Sequence, residues 1–431
     1  MKNAQTLKGF RDFIGQDYKQ RTNIFRLFEE IFGKYGYEGI QTPALEYAHI
    51  LLDKYGEDEK LVYKFVDHGG REVAMRYDLT VPTARVLAQH RAKIQLPWKR
   101  YQLQPVWRAD NTQKGRFREF YQLDIDVFGS SSYLVEVEML LIGSEVYSRL
   151  GFADYAARLN SRQILNAIVE YAGRKDDFST IVTIIDKWDK RTKEETKADL
   201  LDKLSNNEEA VAKIMQCVEL QGSNSEKISA LKEILGNIIG AQESLAEIEK
   251  IISYSEKLGN NKVIFDPTIA RGLSYYTGPV WEWEINEGNV GSVGSGGRYD
   301  NLVASIGGED TPACGQSFGI ERILEVMSDR GMLSSQIQSD LVLITFLDNE
   351  AEVVSLEVMK ELQAIDIRTV VYTGTDKLPK RFKYAEDIGA SWVVLIGSNE
   401  IQANTLTIKN LVSKEQVEIQ RSELASYFVS N

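Results

Sequence analysis

The chain has 431 residues and a formal net charge of −12, with 43% hydrophobic and 26% charged residues. This length is enough for two or three domains with cores of their own, and the composition is that of an ordinary globular protein. The acidic balance excludes a protein that coats nucleic acid non-specifically, because such binding depends on phosphate neutralisation by Lys and Arg. It leaves open a nucleic-acid partner bound by local basic patches.

The sequence also limits location and metal chemistry. No apolar run approaches the roughly 18 residues that span a bilayer, and the start of the chain lacks the apolar core of a signal peptide, so we expect a cytoplasmic protein. The histidines (His49, His68 and His90) and the cysteines (Cys217 and Cys314) are not spaced as ligand clusters. We therefore expect no metal site built from these residues, and two cysteines buried as small hydrophobes.

The first part of the chain changes from a helical to a strand pattern. Residues 17–35 carry apolar side chains such as Ile24, Phe28 and Ile31 at three-and-four spacing, which predicts an amphipathic helix that ends at Gly36. From 61 to 129 short alternating runs predict an antiparallel sheet, with "DHGG" as the turn between its first two strands.

Residues 160–258 have a different texture, with Lys/Glu/Leu-rich segments of helical periodicity. Strand patterns return at 263–285 and around "SGGRYDNL". We therefore predict an α+β domain over residues 1–325, built on an antiparallel sheet and interrupted by a helical insertion at 160–258.

The last part of the chain alternates strand and helix patterns. A Ser/Gln-rich stretch, "SDRGMLSSQIQSD", predicts a linker at 326–339. Residues 340–431 then alternate short apolar runs with helical segments, which predicts a small parallel α/β domain.

The stretch "PVWRADNTQKGRFREFYQLDIDVFG" combines cations with a polar strand face. Side chains two apart in a strand share a face, so Gln122, Asp124 and Asp126 point to one side. One interpretation is a half-exposed strand with a solvated face. The other is a binding face, because Gln and Asp beside arginines suit a ligand that carries both amine and phosphate groups.

Three later stretches are ambiguous when taken singly. "ARGLSYYTGP" holds Arg271 beside a glycine, then Tyr275 and Tyr276, and a tyrosine pair is often core. The glycine-rich "GSVGSGGRYDNL" fits either a tight hairpin or a binding loop, and it does not match the Lys-bearing phosphate loop. "FGIERIL" places Arg322 early in a helix, either exposed or opposite a phosphate or purine.

The order of these stretches along the chain resembles a known family. Residues 105–129 resemble motif 2 of class II aminoacyl-tRNA synthetases, and "FGIERIL" resembles their motif 3. "ARGLSYYTG" is similar to the signature of histidyl-tRNA synthetases, and "LKGFRDFIGQD" to their N-terminal segment. Residues 340–431 resemble their anticodon-binding domain. The resemblance covers essentially the whole chain, although 160–258 matches by position and texture only.

The resemblance implies a class II catalytic domain at 1–325 and a cytoplasmic homodimer. Such an enzyme activates histidine with ATP and Mg²⁺, and then transfers the histidyl group to the 3′ end of tRNA(His). Two alternatives share the catalytic fold: the regulatory subunit of ATP phosphoribosyltransferase, and a synthetase-like binding module without activity. The regulatory subunits lack the C-terminal domain and tend to lose the ATP-binding arginines, so residues 340–431 favour the enzyme.

The resemblance also implies which residues contact the nucleotide and the tRNA. Arg108 and Arg271 would bind the α-phosphate of ATP, where charge develops during the reaction. Arg322 would lie by the far phosphates and Arg116 near the nucleotide. Gln113, in the same loop as Arg116, would touch the tRNA acceptor end.

A second implied set binds histidine. Asp78, Thr80 and Gln122 would hold the α-amino group. The remaining implied contacts are Asp126 and Tyr276 at the imidazole, Tyr299 closing the pocket, and Tyr275 and Arg271 beside the substrate. Many relatives carry Glu where Asp78 and Asp126 stand, and Asp or Asn where Ser274 stands, so the carboxylates here are one methylene shorter.

Overall fold

The computed structural model describes residues 4–270, 275–286, 291–333 and 341–430. The chain forms two compact units that divide after Leu333. Within the described ranges, no helix combines the length and the apolar character that crossing a membrane requires.

The first unit combines strands and helices. Its described strands are β1 (Glu38–Gly39), β2 (Leu45–Tyr47), β3 (Lys64–Val66), β4 (Glu72–Met75), β5 (Trp98–Trp107), β6 (Glu119–Phe128), β7 (Tyr155–Ser161), β8 (Val263–Phe265), β9 (Pro279–Ile285), β10 (Gly294–Arg298) and β11 (Ala313–Gly319). Its described helices are α1 (Gly15–Lys34), α2 (Ala48–Leu51), α3 (Thr80–His90), α4 (Leu134–Arg149), α5 (Arg162–Tyr171), α6 (Phe178–Ile185), α7 (Lys193–Lys203), α8 (Glu208–Val218), α9 (Asn224–Ile234), α10 (Ala241–Lys257), α11 (Leu302–Ser305) and α12 (Ile320–Asp329).

The main sheet has the order β1-β5-β6-β11-β10-β9-β7-β8. Pairing is antiparallel from β5 through to β7, and the outer pairs β1 with β5 and β7 with β8 are parallel. The predicted α+β fold on a largely antiparallel sheet is therefore confirmed.

One part of the strand prediction was wrong. Strands β2, β3 and β4 do not join the strands after residue 97; they form a separate three-stranded sheet in the order β2-β4-β3. Helix α3, which the strand periodicity did not reveal, separates the two sets. Its buried face includes Val81, Ala84 and Leu87, so it forms part of the core between them.

The predicted N-terminal helix is α1, and it covers one face of the main sheet. Phe28 and Phe32 are fully buried, and their rings lie 5.0 and 5.9 Å from that of Phe318 on β11. Leu123 and Ile125 of β6 belong to the same core cluster. Because strand side chains alternate, the other face of β6 carries the polar residues.

Helices α5 to α10 follow one another between β7 and β8, which are hydrogen-bonded neighbours. Capping boxes begin two of them: Thr192 with Glu195 at α7, and Ser223 with Glu226 at α9. Each box satisfies free N–H groups at a helix start, so these helices are well delimited by local sequence.

The second unit is an α/β domain. Its described elements are β12 (Leu341–Phe346), α13 (Ala351–Gln363), β13 (Arg368–Val371), α14 (Leu378–Asp387), β14 (Trp392–Ile396), α15 (Ser398–Ala403), β15 (Thr405–Asn410), β16 (Gln416–Gln420) and α16 (Leu424–Ser430). Strand order is β13-β12-β14-β15-β16. Only the first three strands are parallel, which corrects the prediction of a wholly parallel sheet. The short turn between β15 and β16 cannot make the crossover that a parallel pair needs.

Candidate active site

The polar face of β6 is buried. Asp124 and Asp126 are each 2% exposed, and Gln122 is half-buried. The interpretation of this face as a solvated strand surface is therefore wrong. Buried carboxylates are costly unless they are paired, so their neighbours decide what this face does.

Asp126 is bonded by Arg100 of β5 and by Tyr299, which directly follows β10. Arg100 lies directly opposite on β5 and forms a buried ion pair with the carboxylate, and the Tyr299 hydroxyl donates a hydrogen bond to it. On the other side Gly315 of β11 lies opposite, and a Cβ there would be 1.9 Å from Asp126 Oδ1. Burial raises the pKa of Asp126, while Arg100 and Tyr299 act to lower it.

Asp78 lies between β4 and α3, immediately before Leu79 and Thr80. Its Oδ1 accepts hydrogen bonds from the Val81 amide at 3.0 Å and from the Tyr55 hydroxyl at 3.2 Å. Its Oδ2 is buried and meets no donor within the described ranges. Burial raises the pKa of Asp78, and nearby Asp126 raises it further.

Asp124 lies between Gln102 of β5 and Ser317 of β11. Burial raises the pKa of Asp124 to about 7; Arg100 lowers it, and the charge of Asp126 raises it. Its Oδ1 is buried and has no hydrogen-bond donor among the described residues.

Gln122 has one end of its amide engaged. Its Nε2 donates to Ser317 Oγ at 3.0 Å, while its Oε1 is buried with no donor in the described part of the chain. Three buried acceptors of this site thus have no donor among the described residues: Asp78 Oδ2, Gln122 Oε1 and Asp124 Oδ1. A primary ammonium group offers three N–H donors and a positive charge, so it suits this set of acceptors.

The three tyrosines predicted from sequence lie together. The ring of Tyr275 is 5.0 Å from that of Tyr276 and 5.7 Å from that of Tyr299. Three glycines of the glycine-rich stretch, Gly294, Gly296 and Gly297, lie in β10, which pairs antiparallel with β9 near the centre of the sheet. A Cβ on Gly297 would lie 2.7 Å from Tyr276 Cε1, so glycine is needed for the Tyr276 ring to pack there.

Arg108 begins the loop between β5 and β6. Its Nε donates to the Tyr77 carbonyl at 3.0 Å, and its guanidinium carbon lies 4.2 Å from the centroid of the Tyr77 ring. Its positive charge acts to lower the pKa of Asp78, so the guanidinium stabilises the ionised form of that carboxylate. Among the described residues Arg108 has no carboxylate in ion-pair contact, so its charge is available to an anion.

The tip of this loop is a tight backbone pairing between Gln113 and Arg116. Arg116 is half-exposed, with Nε 3.6 Å from Asp110 Oδ2. Lys114 forms ion pairs with Glu325 and Asp329 of α12, so the loop is tied to that helix.

Arg322, in the first turn of α12, lies against the same loop. Its Cγ is 3.6 Å from where a Cβ on Gly115 would be, and its Nη1 donates to the Ser292 carbonyl at 2.5 Å. The adjacent Glu321 is bound by Arg21 through two hydrogen bonds of 2.9 Å. This contact anchors the helix that presents Arg322.

Arg271 and Ser274 lie outside the described residues. The predicted roles of Arg271 therefore remain predictions.

Sequence reasoning missed Arg100, Gln102 and Ser317 as members of this site. Arg100 and Gln102 alternate along "WKRYQLQPVW", so a polar face on β5 was visible as a pattern. For Ser317 the local sequence carries no such signal, because its importance comes from pairing opposite Asp124.

Comparisons with known proteins identify the family. The histidyl-tRNA synthetase family model matches residues 9–323, and an anticodon-binding domain matches residues 341–431. The chain is 36% identical to a histidine–tRNA ligase of Cytophaga hutchinsonii, over 98% of this chain and 99% of that protein.

The fold is also similar to that of solved structures. The crystal structure of a histidyl-tRNA synthetase from a Nostoc species superposes with a TM-score of 0.86 at 28% identity, over 99% of each chain. A Bacillus halodurans structure described as an ATP phosphoribosyltransferase regulatory subunit/histidyl-tRNA synthetase has a TM-score of 0.76 over 91% of this chain and 98% of that one. Its identity of 22% shows a shared fold alone.

The largely antiparallel sheet, together with these matches, defines the fold of a class II aminoacyl-tRNA synthetase. Within that class, the chain belongs to the histidyl-tRNA synthetase family.

Proposed function

We propose that this protein is a histidine–tRNA ligase, which makes histidyl-adenylate from histidine and ATP and transfers the histidyl group to the 3′ end of tRNA(His). The proposal depends on three buried acceptors that have no donor in the described part of the chain, Asp78 Oδ2, Gln122 Oε1 and Asp124 Oδ1. The cation of Arg108 interacts with the first of these carboxylates, Asp78. The ammonium group of an amino acid would bind these acceptors, and a phosphate of ATP would bind Arg108.

Histidine would bind with its α-ammonium group at Asp78, Thr80 and Gln122. Its imidazole would donate to Asp126, because an ionised carboxylate has about four acceptor sites and Arg100 and Tyr299 leave some of them open. Tyr276 and Tyr275 would complete the ring's surroundings. Selection for histidine follows, because a buried acceptor left unpaired penalises an amino acid without a ring N–H.

ATP would bind along the cationic loop, with Arg108 and Arg271 at the α-phosphate and Arg116 and Arg322 toward the other phosphates. The carboxylate of histidine is already a nucleophile, so the residues mainly position the reactants and stabilise developing charge.

We further propose that Mg²⁺ enters bound to the phosphates of ATP, which is the usual arrangement at nucleotide sites. Bound in this way, Mg²⁺ would neutralise charge on the departing pyrophosphate.

The second unit would bind the tRNA anticodon, and Gln113, exposed at the loop tip, would meet the acceptor end. We also propose a cytoplasmic homodimer. Helix α1 does not support dimerisation, because Phe28 and Phe32 are internal core and Phe25 packs against it. Support comes instead from the small sheet, where Leu45, Tyr47, Phe65 and Val66 are exposed.

Histidine-dependent exchange of labelled pyrophosphate into ATP tests the proposal. We expect exchange with histidine, none with other amino acids, and charging of tRNA(His) by the same preparation. A protein that binds histidine without exchange would instead be a regulatory subunit or an inactive binding module.

A further inference from the structure

Gln122, Ser317 and Asp124 are neighbouring polar groups on two paired strands. Gln122 Nε2 donates to Ser317 Oγ at 3.0 Å, and the Ser317 hydroxyl acts to lower the pKa of the Asp124 carboxylate. Ser317 faces Asp124 directly in the register of β6 with β11. The sheet therefore holds the three side chains together.

Which of these three groups donates and which accepts follows from the hydrogen atoms that each can donate. An ionised carboxylate only accepts hydrogen bonds, and a serine hydroxyl has one hydrogen to donate. When Asp124 is ionised, that hydrogen goes to Asp124, and Ser317 Oγ can only accept from Gln122. The amide must then present its N–H to Ser317, which leaves Oε1 facing the pocket.

We propose that Asp124, acting through Ser317, fixes the orientation of the Gln122 amide so that its carbonyl oxygen accepts from the α-ammonium group of the substrate. Asp124 is thus a positioning residue. This inference rests on the proposed function, in which Gln122 meets that ammonium. The opposite amide orientation would point N–H donors at a cation.

The connection from Asp124 through Ser317 to Gln122, called the relay below, is sensitive to pH because of the charges around Asp124. Arg100 on β5 favours the ionised form, while Asp126 on β6 and Asp78 before α3 disfavour it, and burial is the largest effect. Together they raise the pKa of Asp124 to about 7. When Asp124 is protonated, it can donate a hydrogen bond to Ser317. The Ser317 hydroxyl can then donate elsewhere, so it no longer requires the Gln122 amide to present its N–H.

The first test compares Asp124→Asn with the wild type in histidine-dependent pyrophosphate exchange between about pH 6 and pH 8. We expect the variant to raise the histidine KM about tenfold at the upper pH, with kcat and the ATP KM little changed. The ratio of the two KM values should approach one at the lower pH, where the wild-type carboxylate is protonated. The protonation of free histidine also changes with pH, but it affects both proteins equally and therefore cancels from the ratio. A ratio that does not change with pH would overturn the inference.

The second test is a double-mutant cycle with Ser317→Ala. If Asp124 acts through Ser317, Ser317→Ala should raise the histidine KM to a similar extent, and adding Asp124→Asn should change it little further. If Asp124 acts only by its charge, Ser317→Ala will keep the wild-type KM and the inference is wrong. Ser255→Ala is a matched control, because that serine is buried in α10 and its hydroxyl has no partner among the described residues.

These outcomes are distinct from failure of the proposed function. Absence of histidine-dependent exchange in the wild type would refute the proposed function itself. Exchange in the wild type with unchanged KM values in both variants would refute only the relay.

Discussion

Gly315→Ala tests whether close packing of strands around Asp126 is required for histidine binding. A Cβ at this position would lie 1.9 Å from Asp126 Oδ1 and 2.9 Å from the Tyr299 hydroxyl. Real Cβ atoms essentially never have contacts under 3.0 Å, so the carboxylate must move by at least about 1 Å. That movement disturbs the ion pair with Arg100 and the hydrogen bond from Tyr299 together.

The size of the effect follows from these distances. Overpacking a well-packed interior costs about 1–3 kcal/mol, and displacing a positioned group by about 1 Å can reduce a rate or affinity by as much as about 100-fold. We expect the histidine KM to rise by about tenfold or more, since the imidazole loses its acceptor. The ATP KM should change little, because Arg108 and Arg322 lie on other elements.

Pyrophosphate exchange over a range of histidine concentrations measures this effect. Gly33→Ala is the matched control, because a Cβ there meets nothing within 4 Å. A Gly315→Ala protein with the wild-type histidine KM would refute the reasoning, and would place the imidazole away from Asp126.

Four further expectations follow. Asp126→Asn keeps the shape of the side chain but removes its charge, so the histidine KM should rise at least about tenfold, and equal KM values would contradict its role. Arg271→Ala should raise the activation free energy of adenylate formation by about 3–4 kcal/mol with little change in histidine binding, and a near-normal rate of pyrophosphate exchange would disprove this role. A variant ending at Leu333 should make adenylate but charge tRNA poorly, since the first compact unit ends there; loss of exchange would give the second unit a structural role. Asp124→Asn should raise the melting temperature more at about pH 8 than at about pH 5. Burial raises the Asp124 pKa from 3.8 to about 7, so its contribution to stability is present at low pH and lost as pH rises through that range, and an equal gain at both pH values would contradict this.

Much of the local structure could be predicted from the sequence because it depends on neighbours along the chain. The three-and-four spacing of phenylalanines predicted α1, and the alternation in "YQLDIDVFG" predicted that Gln122 and Asp126 share a face. Motif resemblance predicted the family and the cationic loop. These signals are local because side chains repeat every two residues in strands and about every 3.6 in helices.

Only the tertiary structure determined which side chains meet across the sheet. The contact of Gln122 with Ser317 joins residues 195 apart, and the opposition of Gly315 to Asp126 depends on the register of two strands. Neither is visible in the periodicity of either strand alone, because a shift of one residue in register would change every partner. For the same reason, the sequence indicated a carboxylate on β6, and the fold determined that Arg100 neutralises Asp126 while Asp124 Oδ1 is left without a donor among the described residues.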